Sequence, residues 1–292
     1  MAANHRRIEK RGFLIFILPA ILVVFGFTLY PALYGVYISL TDLNFGYTTS
    51  RFVGLDNYIR LLTWPPLGTV VLNTIIFVAT VVFLQISIGL GIAVLLNKRV
   101  FGSRFMRGVA ILPWVIPAVV IALLFQQLFS GSRLGIMNNL ISYVGMPGRS
   151  WLSQPIEAMV IMILALVWRG VPLSIILQLG GLQTIAKELY EAARIDGATR
   201  WQAFIYITLP MLRPILLINL IMATSGTLNH LDIPLALTGG GPGRATEVIS
   251  VTLYNQAFRL LDAGYAATFA TVLLVVNLLL TVGYLRILRA DR

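Results

Sequence analysis

Cysteine is absent from the chain, which rules out a disulfide framework, a thiolate nucleophile and a cysteine-ligated metal site. Histidine is almost as scarce. His5 and His230 are the only two, and neither sits in an H-E-x-x-H or comparable metal spacing, so no metal-binding residue is expected. No GxxxxGK[ST] phosphate loop occurs, so the chain is not itself an ATPase of that type. Charge is thin: 11% of residues are charged, against about 25% in an ordinary soluble domain. The deficit falls mainly on the acids, with 11 Asp and Glu against 22 Lys and Arg and a formal net charge of +11. The basic residues stand scattered between apolar runs and form no groove-sized patch, which argues against nucleic acid as a partner.

What fills the 292 residues instead is apolar: 58% are hydrophobic, and the mean hydropathy is +0.86. A helix rises about 1.5 Å per residue and the hydrocarbon core is about 30 Å thick, so a span needs about 20 apolar residues. Six segments qualify: Phe13–Leu40, Val70–Leu96, Val109–Phe129, Ile156–Leu179, Ile215–Leu237 and Tyr265–Ile287. The first follows Arg6, Arg7, Lys10 and Arg11. Its apolar run exceeds the about 7–15 residues of a signal-peptide core and has no clean small-residue cleavage site, so it reads as an uncleaved helix. The expected fold class is all-α, a polytopic membrane protein of six transmembrane helices. Residues 1–12 form a short N-terminal segment, and 13–292 form a single transmembrane domain.

Lys and Arg set the orientation. They cluster at the N-terminus, in the loop with Lys98, Arg99, Arg104 and Arg107, in the segment with Lys187, Arg194, Arg200 and Arg213, and at the C-terminus with Arg286, Arg289 and Arg292. The alternate loops hold only pairs: Arg51 and Arg60, Arg133 and Arg149, Arg244 and Arg259. The positive-inside bias places both termini in the cytoplasm. Pro19, Pro31, Pro113, Pro117 and Pro172 lie inside apolar runs, where each removes a backbone donor and predicts a kink.

Residues 186–210, AKELYEAARIDGATRWQAFIYITLP, are too polar for lipid and too regular for a slack loop. Leu182, Ile185, Leu189 and Ala192 recur at helical spacing and predict a short amphipathic helix. Arg194 suits its negative end, Gly197 its positive-φ stop. Thr199 and Gln202 stand as in a capping box and start a second helix. An amphipathic loop resting on the membrane surface fits the same pattern.

Glu191-Ala192-Ala193, Gly197 and the run Ile207-Thr208-Leu209-Pro210 match the EAA–G–I-x-L-P signature of ABC importer permeases with both spacings intact. Phe52-Val53-Gly54-Leu55-Asp56-Asn57-Tyr58 resembles the FxGLxNY segment of sugar-importer permeases, and Leu237-Thr238-Gly239-Gly240-Gly241-Pro242 resembles the LTGGGP loop of the maltose and glycerol-phosphate importer type. Leu112-Pro113-Trp114 and Trp168-Arg169-Gly170-Val171-Pro172 also stand where that family has similar residues. The chain is too short for the extra helices and external domain that some of these permeases carry. The resemblance implies a type I importer permease fold in the bacterial inner membrane. It makes 186–210 a coupling helix whose Glu191, Ala192, Ala193, Asp196, Gly197, Leu209 and Pro210 engage a separate ATPase. It implies a second homologous permease, two ATPase subunits that hold ATP and Mg, an extracytoplasmic solute-binding protein, and no cofactor in this chain.

The same resemblance points to Arg169, Gly170 and Leu173 of the fourth span as cavity lining. Polar residues within a span are functional candidates by default, and the fifth span adds Ser225, Thr227, Asn229, His230 and Asp232. Trp114 and Trp168 offer stacking faces for a sugar. Two alternatives remain for Arg169: an ion pair with Asp232 or with a partner chain, and a contact to an anionic sugar derivative or a glycerol phosphate. Gln85, Gln126, Gln127, Asn219, Asn277 and Asn73 read as interhelical hydrogen-bonding residues. The alternative class is a self-sufficient secondary transporter using Asp232, His230 and Arg169 as an ion relay.

Overall fold

The long apolar runs fold as helices in the computed structural model, which describes residues 18–19, 21–46, 49–97, 103–132 and 135–290. Five helices are long and apolar enough to cross a membrane: α1 (Ile21–Ser39), α3 (Leu67–Asn97), α7 (Pro155–Gln183), α9 (Arg200–Leu228) and α12 (Ala263–Ala290). Two shorter ones, α4 (Ser103–Val115) and α5 (Ala118–Leu128), pass the same test as a pair and bring the spans to six. Between these lie α2 (Asp56–Leu62), α6 (Ile136–Ser142), α8 (Lys187–Ile195), α10 (Asp232–Leu237) and α11 (Ile249–Tyr254). Apart from two isolated bridges, Thr41–Phe52 and Asn44–Asp262, the regular structure among the described residues is helical.

Several boundaries differ from those read off hydropathy. The start of the first expected span, residues 13–17, lies outside the described residues. The third, expected as one span over 109–129, is two helices bent by 97°. Pro117 is the cause: it caps α5 in an extended conformation, φ −54° and ψ 136°, and a proline also drives the residue before it out of the helical region. Pro113 and Pro172, by contrast, sit inside continuous helices. The fifth span, expected over 215–237, starts earlier and stops sooner. The helix begins at the Thr199 cap, passes through a π-helical turn at Phe204–Thr208 and ends at Leu228. Asp232–Leu237 is then a separate short helix.

The chain divides into two units, residues 1–64 with 253–274 and residues 65–252 with 275–292. In the larger unit, α7 is the central element. Half of its most apolar window is buried, and its face carries Ile161, Met162, Leu166, Val171 and Ile175 into a core shared with Phe77, Val81, Ile121 and Leu212. Glycine sets how closely α3 approaches: a Cβ on Gly89 would lie 2.6 Å from the Ser174 Cβ, and one on Gly170 would lie 2.5 Å from the Gln85 amide. Small residues give such close crossings in membranes, where no hydrophobic force distinguishes helix from lipid tail. Amides then fasten the crossing. Gln85 Nε2 donates to Gly170 O at 2.8 Å, Gln178 Nε2 donates to Ile86 O at 3.1 Å, and Ser174 Oγ donates to Asn219 Oδ1 of α9 at 3.1 Å. Residues 170, 174 and 178 thus form a polar seam down one face of α7.

In the smaller unit, the FVGLDNY segment folds over the end of α1. Gly54 takes φ +60°, which only glycine adopts without strain. Asn57 Nδ2 donates to Ser39 O at 3.0 Å and to Thr41 O at 2.8 Å, satisfying carbonyls that the helix end leaves open. Ser39 Oγ and Tyr58 OH lie 2.7 Å apart. Arg60 pairs with Asp262 at 2.7 Å and stands 4.0 Å over the Tyr265 ring. The asparagine and tyrosine of this motif are therefore fastening residues.

Candidate coupling loop and translocation residues

The loop between α7 and α9 builds itself from its own backbone. Helix α8 ends in a Schellman motif: Gly197 N donates to Arg194 O at 3.2 Å and Ala198 N to Ala193 O at 2.8 Å. Gly197 supplies the required positive φ, +79°. Thr199 and Gln202 then form a complete capping box. Leu182 and Ile185, expected on the amphipathic face of this helix, do not belong to it: Leu182 lies in the last turn of α7, Ile185 lies in the link to α8, and both are buried. A hydroxyl pair, Tyr190 OH to Thr208 Oγ1 at 3.0 Å, ties α8 to the π-helical turn of α9.

No residue of α8 is buried. Glu191, Ala192, Asp196 and Gly197 are exposed, Ala193 and Leu209 are half-buried, and Pro210 is exposed in the first turn of the α-helical part of α9. Around them stand Ile195, Trp201 and Tyr206, 86%, 68% and 75% exposed, with the Trp201 ring stacked on Phe204 at 5.6 Å. The loop's hydrogen bonds are thus largely satisfied internally while its apolar side chains are left uncovered.

Deeper in the chain, the structure brings Arg169 and His230 together. Arg169 lies midway along α7, half-buried, and its Nε has no hydrogen-bond partner. His230 follows α9, and its buried Nδ1 is also without a partner, while Arg169 and Asp232 both act on it electrostatically. Ser250 Oγ donates to His230 O at 2.9 Å and fixes the backbone there. Thr227 is buried one turn earlier. Asn229 is exposed, with its Nδ2 donating to Ser225 O at 2.8 Å and its Oδ1 3.5 Å from Asn277 Nδ2 of α12. Gly170 packs under Gln85, and Leu173 is half-buried.

The TGGG turn is held from several sides. Gly239 and Gly240 take φ +61° and +94°. Thr246 Oγ1 lies 2.7 Å from Thr238 Oγ1 and donates to Gly241 O at 2.6 Å. Asn73 of α3 donates to Arg244 O at 2.9 Å, and Ile249 N donates to Thr74 Oγ1 at 3.0 Å. Glu247, only 8% exposed, accepts from Thr252 Oγ1 at 3.0 Å. Asn73 was read in the sequence as an interhelical hydrogen-bonding residue, but its partners lie more than 170 residues away and could not be named there; Glu247 carried no sequence signal. A further feature without a sequence signal is an apolar cavity of about 580 Å³ between α3, α9 and α12, bounded by Val78, Val82, Thr224, Leu280 and Tyr284. None of the candidate residues lines it.

Residues 85–290 match the family described as binding-protein-dependent transport system inner membrane component. The chain is 37% identical over 287 residues to the trehalose/maltose transport system permease protein MalF of Thermococcus litoralis, covering 98% of this chain and 96% of that one. It is 34% identical over 289 residues to the lactose transport system permease protein LacF of Rhizobium radiobacter, covering 94% of each. It is 32% identical over 272 residues to the sulfoquinovosyl glycerol transport system permease protein SmoG of Agrobacterium fabrum, covering 93% and 88%. Its fold matches a bacterial ABC transporter involved in the import of the acidic polysaccharide alginate, with a TM-score of 0.84, 22% identity and 99% of each chain covered. The membrane-crossing helices and the match over most of the chain agree, and the chain belongs to the family of binding-protein-dependent transport system inner membrane components, as a permease subunit of an ABC importer.

Proposed function

We propose that this chain forms half of the translocation pathway for a di- or oligosaccharide, coupled to separate ATPase subunits through residues 186–210. The observation that carries the coupling is the loop itself, whose two caps are closed internally while Glu191, Ile195, Trp201 and Tyr206 face outward. A rigid, uncovered helical corner transmits force to a cleft without first having to fold. The relatives named for trehalose, maltose and lactose support a sugar as the solute. In this reading a second homologous permease completes the pathway, and an extracytoplasmic binding protein delivers the sugar. Two ATPases hold ATP and Mg in the cytoplasm, beside both termini of this chain. ATP binding draws the coupling loops together and opens the cavity outward; hydrolysis returns it inward.

Arg169 gives a second reading of the substrate some weight. A half-buried guanidinium with an unpartnered Nε suits an anionic sugar derivative, and the sulfoquinovosyl glycerol relative points the same way. Uptake by the assembled importer separates the two readings: Arg169→Gln lowers transport of an anionic sugar far more than transport of trehalose or maltose if the guanidinium neutralises the solute.

The coupling test is purification of the tagged chain from its native membrane in mild detergent, alongside a Glu191→Lys, Gly197→Pro variant. An ATPase that accompanies the parent chain and is lost from the variant supports the coupling loop. Recovery of the chain alone, with transport intact after reconstitution, overturns it in favour of a secondary transporter.

A further inference from the structure

At the Pro155 end of α7, opposite the end that leads into the 186–210 loop, lies a polar pocket of about 500 Å³. Arg149, Ser150, Trp151, Gln154 and Glu157 line it. The pocket wall is held by one buried amide. Asn138 Oδ1 accepts from Arg149 N at 3.0 Å and from Trp151 Nε1 at 2.8 Å, while its Nδ2 donates to Ser130 O at 3.2 Å and Arg149 O at 3.0 Å. That uses two acceptor and two donor positions, the full capacity of a primary amide. The indole is locked from behind as well, since Phe129 meets it edge-on at 6.0 Å.

The polar groups of the pocket are held but not consumed. The Arg149 guanidinium sits 5.9 Å from the Trp151 ring. Gln154 caps α7 by its backbone alone, making no side-chain cap. Glu157, in the first turn of α7, is part of no ion pair among the described residues. A cation and a carboxylate that do not neutralise each other select a ligand of no net charge able both to accept and to donate hydrogen bonds. The partly exposed Trp151 ring, with the Arg149 guanidinium over it, selects one that also has an apolar side. A pyranoside has this make-up, with a C–H face and a rim of hydroxyls. From Trp151 the aromatic contacts continue inward. Phe129 stacks on Phe125 at 6.1 Å, and Phe125 meets Trp168 at 6.2 Å, beside Arg169 in the chain.

We infer that this pocket is an outer binding subsite for a neutral sugar, met before the solute reaches Arg169 and His230. The inference rests on the sugar reading and on the orientation proposed above, which puts this end of α7 on the side where solute arrives.

The experiment measures binding of trehalose, maltose and lactose to the assembled importer without its binding protein, by calorimetry and indole fluorescence, together with uptake by the complete system. Saturable binding by the parent is expected to weaken about tenfold in Glu157→Gln, on the scale of one charged hydrogen bond. It is expected to be lost in Trp151→Ala and to survive in Trp151→Phe, which keeps an aromatic face and reports on folding. Unchanged affinity in Glu157→Gln and Trp151→Ala overturns the subsite and leaves the sugar reading standing. So does sugar uptake by the complete system without any binding by the importer alone. Absence of both binding and uptake for all three sugars overturns the sugar reading itself. If sugar affinity is unchanged while binding-protein-stimulated ATP hydrolysis falls in Glu157→Gln, the pocket is a protein contact and the inference fails.

Discussion

At the crossing of α3 and α7, backbone meets side chain with no room to spare. A Cβ on Gly170 would stand 2.5–2.7 Å from three atoms of the Gln85 amide, whose Nε2 also bonds Gly170 O. Gly170→Ala is therefore expected to lower stability by about 1–3 kcal/mol, read as an earlier thermal transition in detergent. Gln85→Ala in the same background is expected to restore part of the loss, because it empties the space the methyl needs. Gln85→Leu alone is expected to lower stability by about 0.6 kcal/mol, the scale of one interhelical hydrogen bond in a membrane. The sequence marked Gln85, Gln126, Asn73 and Asn219 as hydrogen-bonding residues between helices, because an amide in a long apolar run needs a partner. It did not say which partner: three of the four donate to carbonyl oxygens of Gly170, Ala236 and Arg244, at least 85 residues away, and a carbonyl leaves no mark on residue type. Gly170 shows the converse. Resemblance drew it toward the cavity, while its Cα faces Gln85.

Among the elements, the 186–210 loop was the most legible because its signals are local. Gly197 as a left-handed stop and Thr199 with Gln202 as a capping box need only neighbours within a few residues, and both are formed. Gly197→Ala is expected to destabilise the corner by about 1–2 kcal/mol and Thr199→Ala by about 1 kcal/mol. Hydrogen exchange of the α8 amides should rise accordingly. The outward face survives both changes, so ATPase recovery is expected to fall less than with Glu191→Lys. The proline-bearing spans were harder to read. Pro113, Pro117 and Pro172 predict kinks equally, yet only Pro117 turns the chain by 97°. Half of the most apolar window of α7 is buried, and that packing keeps it helical through Pro172. Hydropathy counts apolar residues without seeing this support, so the sequence marked a kink at each proline and could not say which would become a break.

For the molecule as a whole, the sides of the membrane are open to a direct test, because a chain without cysteine reports any cysteine placed in it. Ser150→Cys is expected to react with an impermeant maleimide in intact cells. Ala186→Cys is expected to react only after permeabilisation, since two basic segments and both basic termini lie on its side. The reverse pattern would invert the orientation. The span count was legible because each span carries its own hydrophobic signal. The division into two units, which joins residues 1–64 with 253–274, was not, since it depends on contacts between the ends of the sequence.

Helix α1 is largely exposed among the described residues. None of its most apolar 18-residue window is buried, and Tyr30, Tyr34 and Tyr37 form a ladder of rings 6.1 and 6.2 Å apart along it. A phenol hydroxyl left without a hydrogen-bond partner in hydrocarbon is unfavourable. The subunit's lifetime in the cell is then set by how soon a companion arrives. Pulse-chase labelling is expected to show faster degradation of the chain expressed alone than with its neighbouring permease, and replacing the three tyrosines by phenylalanine should lengthen the solitary half-life.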